Sequence, residues 1–456
     1  MSTFLKTESV SKPIRSVDDL RCYFQAYAKP KGTERVGIEC ELFGVHSETG
    51  KALPYSGPAG IEAILNELAK EFGYALIVEN GHTIALQKNE WLVSLEPGGQ
   101  VELSAEPVEN IHQVREQLDR FFFELKIMAR FFPHIAWITA GIHPFSSLRD
   151  IEWVPKKRYE IMARYLGRKG KRAHDMMKRT CGNQVNLDYL SEEDAICKMR
   201  LSLAVTPIAA AMFANSSLSL GTLSGFASER LNIWRYTDPA RTGLILNLIC
   251  QTCTFQDYLN YVLDVPMMFL VRHGKWIVTP GLTFRKFIEK GHRGIKPTQD
   301  DFELHLSTIF TDVRFKQYVE IRGLDGQRNH LIPAVSAFWK GLFYDEEAAR
   351  RASRLMGQFR EKEILKLHHE VERKGLWAKI RGTDVLELAR ELVEISGEGL
   401  RRQNRLNERE EDERIYLTPL EEEILRDGKT TADRLAELWR GSFHKNSRAV
   451  VDYLKI

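Results

Sequence analysis

The stretch Ser94-Leu-Glu-Pro-Gly-Gly-Gln-Val-Glu-Leu-Ser104 decides how this chain is read. Glu96 and Glu102 flank a Pro-Gly-Gly break that no ordinary strand or helix interior would tolerate. Counted from Glu96, strand geometry puts Glu102 on the same face, although the turn between them leaves the register open. A second acidic pair lies upstream, Glu39 and Glu41 in Gly37-Ile-Glu-Cys-Glu-Leu-Phe-Gly44, and two residues apart on a strand they share a face. Like charges so close repel and raise each other's pKa unless a cation sits between them. Oxygen-only ligands suit a hard ion, Mg²⁺ or Mn²⁺, which commonly works on phosphates. A solvated strand face is the alternative, and for a lone Glu-x-Glu the commoner one. Two such motifs hedged by glycines and apolar residues leave both readings open.

At 456 residues the chain is long enough for one large domain or two to three smaller ones. Its 65 basic and 62 acidic residues leave a net charge of +3, too balanced to argue for a nucleic-acid partner. No run of 18 apolar residues occurs, so no membrane partner is expected. The opening Met1-Ser-Thr-Phe-Leu-Lys-Thr-Glu8 lacks an apolar core and carries an early acid, which predicts neither a secretory signal nor a clear transit peptide. Six cysteines make no disulfide scaffold, and the lone Cys250-x-x-Cys253 in an apolar stretch reads as buried thiols rather than a zinc site. A reducing cytoplasm is the expected location.

The spacing predicts an opening helix from Ser16 to about Ala28, then the strand that carries Glu39 and Glu41. A helix over Gly60–Phe72 leads into a meander through Ala75–Val78, Thr83–Leu86 and Trp91–Leu95, with turns at Asn80-Gly81 and Lys88-Asn89. A long helix over Val108–Arg130, strands over Ile135–Gly141 and Cys181–Asp188, and an apolar helix over Glu193–Phe213 follow. A late strand over Phe315–Arg322 ends in Gly323-Leu-Asp-Gly326, after which Glu346–Gly397 reads as charged and helical. Hairpins first and helices gathered later point to an α+β fold with a mainly antiparallel sheet.

The second half supplies complements to an acidic, phosphate-handling site. Glu320 and Arg322 alternate on one strand face, preceded at the same parity by Arg314 and Lys316. A carboxylate beside a guanidinium suits a metal and a transferring phosphoryl group, and a cross-strand ion-pair ladder fits equally well. Gln184 and Asn186 also alternate, and buried amides must find hydrogen-bond partners. Between Ser228 and Gly243, Arg230 and Arg241 flank Trp234; these arginines could grip an amino-acid carboxylate, or belong to a charged surface loop. Gly428-Lys429-Thr430 is no phosphate loop, because Glu423 stands where the leading glycine belongs. No Gly-x-Gly-x-x-Gly follows a strand, and neither Gly-x-Ser-x-Gly nor His-Glu-x-x-His occurs. His368 and His369 are adjacent in a charged helix and cannot share one face.

Several of these segments resemble plant-type glutamate–cysteine ligases, the first-step enzymes of glutathione synthesis in plants and many bacteria. They are the Gly37–Gly44 and Ser94–Ser104 motifs, Pro155-Lys-Lys-Arg-Tyr-Glu-Ile-Met162, Arg179-Thr-Cys-Gly-Asn-Gln-Val-Asn-Leu-Asp188, Trp234–Gly243 and Tyr318-Val-Glu-Ile-Arg-Gly-Leu-Asp325. Phe213-Ala-Asn-Ser216 and Leu263-Asp-Val-Pro266 add to them, in family order from about residue 16 to the C-terminus. The resemblance implies a glutamine-synthetase-like catalytic fold with a curved, mainly antiparallel sheet. It would form a single catalytic domain over 1–456, with an N-terminal segment of about 1–30 and a helical C-terminal part of about 346–456. It further implies ATP- and Mg²⁺-dependent joining of glutamate to cysteine through a γ-glutamyl phosphate, by a monomer or homodimer. Glu39, Glu41, Glu96, Glu102 and Glu320 match metal carboxylates, with Gln184 beside them. Glu320 and Arg322 match catalytic positions, and Arg322, Arg314 and Lys316 would meet ATP. Arg241, Arg158, Tyr159, Asn186, Arg230 and Trp234 would line the amino-acid pocket.

The chain also departs from the family pattern. Ile38-Glu-Cys-Glu-Leu42 replaces the family's frequent Thr-Glu-His-Glu-Lys, and Gly182-Asn183 follow Cys181 where Thr-Val is usual. The cysteines of the plant regulatory disulfides have no evident counterparts. A ligase with another amine acceptor, or a non-catalytic glutamate or nucleotide sensor on this scaffold, are the alternatives.

Overall fold

In the long strand β1 (Val36–His46), alternate side chains do different work along one run of chain. Val36, Ile38, Cys40 and Leu42 enter the principal core, while Phe43 and Val45, on the opposite face, join a second apolar cluster. Glu39 and Glu41 share that opposite face nearer the start of the strand. The C-terminal helices Thr431–Arg440 and Ser447–Leu454 cover Phe43 and Val45 but leave the two acids to another environment. A computed structural model describes residues 11–89, 91–250 and 252–456, so the reading of Met1–Glu8 and the start of the N-terminal segment lie outside the described residues.

Around β1 are β2 (Ala75–Glu79), β3 (His82–Lys88), β4 (Trp91–Leu95), β5 (Val101–Ser104), β6 (Ile135–Ile138), β7 (Gly182–Leu187), β8 (Val313–Phe315) and β9 (Val319–Asp325). They form a nine-stranded sheet in the order β8-β9-β7-β1-β5-β4-β3-β2, with β6 pairing the far half of β1. Every pairing in it is antiparallel. The α+β expectation and the β2–β3–β4 meander are therefore met.

Helices α1 (Val17–Gln25), α2 (Ile61–Phe72), α3 (Ile111–Ile127), α4 (Lys157–Leu166), α5 (Ala173–Arg179) and α6 (Glu192–Met212) are distributed among the strands. The first begins at a capping box, Ser16 accepting from the Asp19 N–H while the Asp19 carboxylate accepts from the Ser16 N–H. Thr430 caps Thr431–Arg440 in the same way, which explains the Gly-Lys-Thr run there. The helix α6 is long and apolar enough to cross a membrane, but its most apolar window is 89% buried inside the fold, as in a core helix.

One expected element is corrected. Phe315–Arg322 is a hairpin, β8 and β9 reversing at Lys316–Tyr318, so Arg314 lies across from Glu320 instead of along one strand from it. The reversal contains no Gly, Pro or Asn, and the alternating pattern masks it. The strand then continues through Gly323 with a register shift between Ile321 and Leu324. Two short helices, α4 and α5, lie between β6 and β7.

Candidate active site

The sheet brings the charged positions into one row. Glu41 lies opposite Glu102 and Glu39 opposite both Ser104 and Gln184; Glu102 in turn lies opposite Ser94. Farther along, Asn186 faces Glu320, which faces Arg314. The row opens on a cavity of about 240 Å³ whose acidic wall is Glu39, Glu41, Glu96 and Glu102, with Gln184 beside them; Glu79, at the end of β2, also lines it. Lys156, Arg158, Arg314 and Arg322 supply its cationic side.

The Pro-Gly-Gly turn places Glu96 at the end of β4. Gly99 adopts φ +82°, and a Cβ on Gly98 would stand 2.5 Å from the Lys178 carbonyl oxygen, so each glycine answers a different constraint. Gln100 anchors the turn: its Oε1 accepts from the Gly98 N–H at 2.8 Å, and its Nε2 donates to the Thr180 carbonyl at 2.9 Å.

Glu41 accepts from the Gly182 N–H at 2.6 Å and from Gln184 Nε2 at 3.0 Å. Glu102 accepts from Ser94 Oγ at 3.2 Å and Ser104 Oγ at 2.9 Å. Burial, then the charge of Glu102, pushes Glu41 up to about 7, and burial with neighbouring Glu39 pushes Glu102 up to about 8. Burial and Glu41 raise Glu96 as well. Among the described residues no three acidic, His or Cys side chains stand together as a finished ligand cage. The donor set still fits a hard divalent cation: it is all oxygen, it shares one wall, and its raised carboxyls are those a cation would relieve.

Glu320 is placed differently from the expectation. It is fully buried and absent from the cavity wall, and it pairs with Arg314, with Lys316 at 3.3 Å and with Arg322 at 3.1 Å. Against the upward push of burial, these three cations hold its carboxyl well below the usual range. The ladder alternative thus describes Glu320. Arg322 reaches the cavity and donates to Gln184, and its buried Nε has no hydrogen-bond partner among the described residues.

Of the residues expected to hold the amino acid, Arg158 and Tyr159 line the cavity and the others do not. Arg158 Nη2 donates to the Ser307 carbonyl at 3.1 Å, while its buried Nη1 has no hydrogen-bond partner among the described residues. The Tyr159 hydroxyl donates to the Leu95 carbonyl at 2.6 Å. Arg241 is a correction: it is wholly buried, with its donors on Asp238 at 2.8 Å, the Thr308 carbonyl at 3.1 Å and Tyr165 Oη at 2.9 Å. Arg230 lies behind the wall and donates to the Arg322 carbonyl at 3.0 Å. Trp234 packs edge-on against Phe310, and Asn186 Nδ2 donates to Glu39 at 3.0 Å. Lys316 touches Glu320 but not the cavity.

Sequence reasoning missed Lys156 as a site residue, although it sits in the Pro155–Met162 motif. Its Nζ donates to the Leu95 carbonyl at 2.7 Å, and burial pulls it down to about 8 against the opposing charge of Glu96. The apolar wall of Ile77, Ile84, Met162, Trp276 and Phe310 was also missed, since such residues announce no chemistry.

The cavity thus sets buried carboxylates against arginines and a lysine. The sequence model of the glutamate–cysteine ligase family 2 matches residues 35–452. The chloroplastic glutamate–cysteine ligase B of Oryza sativa subsp. japonica is 38% identical over 432 residues, covering 94% of this chain and 85% of that protein. The chloroplastic glutamate–cysteine ligase of Medicago truncatula is 37% identical over 439 residues, 96% of this chain and 84% of that one. Its Arabidopsis thaliana counterpart, also named chloroplastic, is 36% identical over 440 residues, 96% and 82%. Among solved structures, the Francisella tularensis glutamate–cysteine ligase in complex with AMP is similar at TM-score 0.52 and 12% identity, over 94% of this chain and 88% of that one. The bifunctional glutathione synthetase of Pasteurella multocida gives TM-score 0.54 at 12% identity, over 96% of this chain and 53% of that one. At such identity these likenesses speak to the fold alone, and they bear out the expected α+β fold class. The relatives' chloroplastic names overturn the expectation of a cytoplasmic location. With a match running from strand β1 to the last helix, the chain belongs to the glutamate–cysteine ligase family 2.

Proposed function

We propose that this protein joins the γ-carboxyl of L-glutamate to the amine of L-cysteine with cleavage of ATP, forming γ-glutamylcysteine. The observation that carries the reading is the two-sided cavity, with an acidic wall opposed to arginines and a lysine, in a chain matched to this family from residue 35 to 452. A carboxylate is a poor electrophile. Transfer of the γ-phosphoryl group to a glutamate γ-oxygen breaks the bond to ADP and supplies a leaving group; the acceptor amine then attacks the acyl carbon, releases phosphate and loses a proton.

Arg322 is the residue suited to the phosphoryl in flight, because it enters the cavity with an unmatched buried donor while Glu320 fixes its other side. Arg158 offers a second buried donor, suited to an amino-acid carboxylate. Glu39, Glu41, Glu96 and Glu102, with Gln184, are the residues that would hold Mg²⁺, which when bound offsets negative charge on phosphate oxygens. Tyr159 and Lys156 hold the Leu95 carbonyl, and so the strand end that presents Glu96.

The test is ADP release measured with glutamate and a panel of amine acceptors. Fast turnover with cysteine, and slower turnover with serine, alanine and glycine, supports the reading. Faster turnover with a bulky or charged amine assigns a different acceptor, and no ADP release with any acceptor makes the protein a sensor.

A further inference from the structure

We propose that His368 and Asp312 form a buried positioning pair that sets the aim of Arg322. The inference rests on the reading of Arg322 as the phosphoryl-facing residue. His368 sits on the helix Glu361–Lys374, and its Nε2 lies 2.8 Å from Asp312 Oδ2, with the two side chains only 4% and 6% exposed. Of two adjacent helical histidines, this one is turned into the protein, so the pair is built in rather than incidental.

Asp312 is well placed to act on Arg322. Its carbonyl accepts from the Arg322 N–H at 2.8 Å, and its own N–H donates to the Gly243 carbonyl at 3.1 Å. The register of β9 against β7 shifts between Ile321 and Leu324, so β7 does not hold Arg322 and Gly323. Their backbone is held instead by the Asp312 carbonyl on the Arg322 N–H and by Arg230 on the Arg322 carbonyl, at 3.0 Å. A Cβ on Gly323 would lie 3.4 Å from both Cβ and Cγ of Asp312, so the aspartate side chain packs directly against the bulge. A turn of Asp312 would press on Gly323 and so on the base of the Arg322 side chain. What opposes it is the 2.8 Å contact with His368, made without hydrogen-bond geometry, since neither His368 Nε2 nor Asp312 Oδ2 has a hydrogen-bond partner among the described residues. Neither residue lines the cavity, so both act through Arg322.

The experiment is a double-mutant cycle on the full chain, with kcat and KM for glutamate read from ADP release. His368→Ala should lower kcat about 10- to 100-fold, the scale of a small misplacement of a reacting group, with glutamate KM within about twofold. In an Arg322→Ala background the same substitution should have no further effect. His368→Gln, which keeps a side-chain N–H, should recover part of the loss. Equal loss from His368→Ala in both backgrounds, or unchanged kcat in the single variant, would overturn the proposal. Should His368→Ala fail to fold, Asp312→Asn, which keeps the shape and the carbonyl, runs the same cycle: kcat loss absent from the Arg322→Ala background supports the proposal, and equal loss in both backgrounds or unchanged kcat overturns it. Unimpaired turnover in Arg322→Ala itself would overturn the phosphoryl reading and this inference together, whereas additivity with an impaired Arg322→Ala overturns only this one.

Discussion

Glu41 and Glu102 face each other across β1 and β5, two buried carboxylates in direct cross-strand register. Each is pushed upward, to about 7 and about 8, by burial first and then by a neighbouring glutamate. Opposed like charges weaken a sheet, so this pairing has to be offset by protons or by a cation.

The pH dependence follows with a definite sign. A carboxyl whose folded pKa lies above its unfolded value, about 4.3 for Glu, binds more protons folded than unfolded between the two. Stability from Glu41 and Glu102 is therefore fully present below about pH 4 and is lost as pH rises through about 7 and about 8. The melting temperature in EDTA should fall from pH 6 to pH 8.5, and Mg²⁺ should raise it more at pH 8.5 than at pH 6. Glu102→Gln should flatten the EDTA profile. A profile that rises with pH would show that these carboxyls are already ionised in the metal-free fold.

Arg322→Ala is expected to lower kcat far more than it raises the KM for glutamate, since its unmatched donor is assigned to charge that develops during phosphoryl transfer. Loss of one such group is worth on the order of 3 kcal/mol or more, above a hundredfold in rate. Unchanged turnover with weakened glutamate binding would move Arg322 to the amino-acid side of the cavity.

How much of this site the sequence disclosed depends on what kind of constraint each residue answers. Glu39 and Glu41 were legible because strand alternation alone puts them on one face, and the Pro-Gly-Gly turn because Gly98 and Gly99 have backbone demands that other residues fail. The reversal at Lys316–Tyr318 was not, since no turn-forming residue marks it, and so Glu320 and Arg314 were placed along a strand when they lie across a hairpin. Arg241 shows a different limit. An arginine in a sequence does not declare whether its donors are free or already consumed, and only the folded surroundings of Asp238, Thr308 and Tyr165 settle that. Long-range pairs such as His368 with Asp312 leave no local pattern at all.

Arg241→Ala is expected to act on stability. The substitution strands the buried Asp238 carboxylate and removes the support of the Thr308 carbonyl, and breaking a buried pair in this way costs about 3–5 kcal/mol. Denaturant unfolding should show the loss directly. A stable protein whose only defect is a raised KM for glutamate would return Arg241 to substrate binding.

Arg158→Ala should have the opposite signature to Arg241→Ala. Its Nη2 is fixed by the Ser307 carbonyl at 3.1 Å, which orients the guanidinium while Nη1 stays buried beside the cavity. A donor oriented in this way is suited to a carboxylate oxygen present in both the ground state and the transition state. Removing it takes away binding common to both, so KM for glutamate should rise about 10- to 100-fold, at roughly 1.5–3 kcal/mol for a hydrogen bond to a charged group, with kcat little changed. Arg158→Lys should recover only part of this, because an ammonium cannot hold the Ser307 carbonyl and a ligand oxygen in the same planar fork. The check is a pair of saturation curves, for glutamate and for ATP, on each variant. A rise confined to the KM for ATP would place Arg158 on the nucleotide, and a loss confined to kcat would make it a second partner of the transferring phosphoryl group.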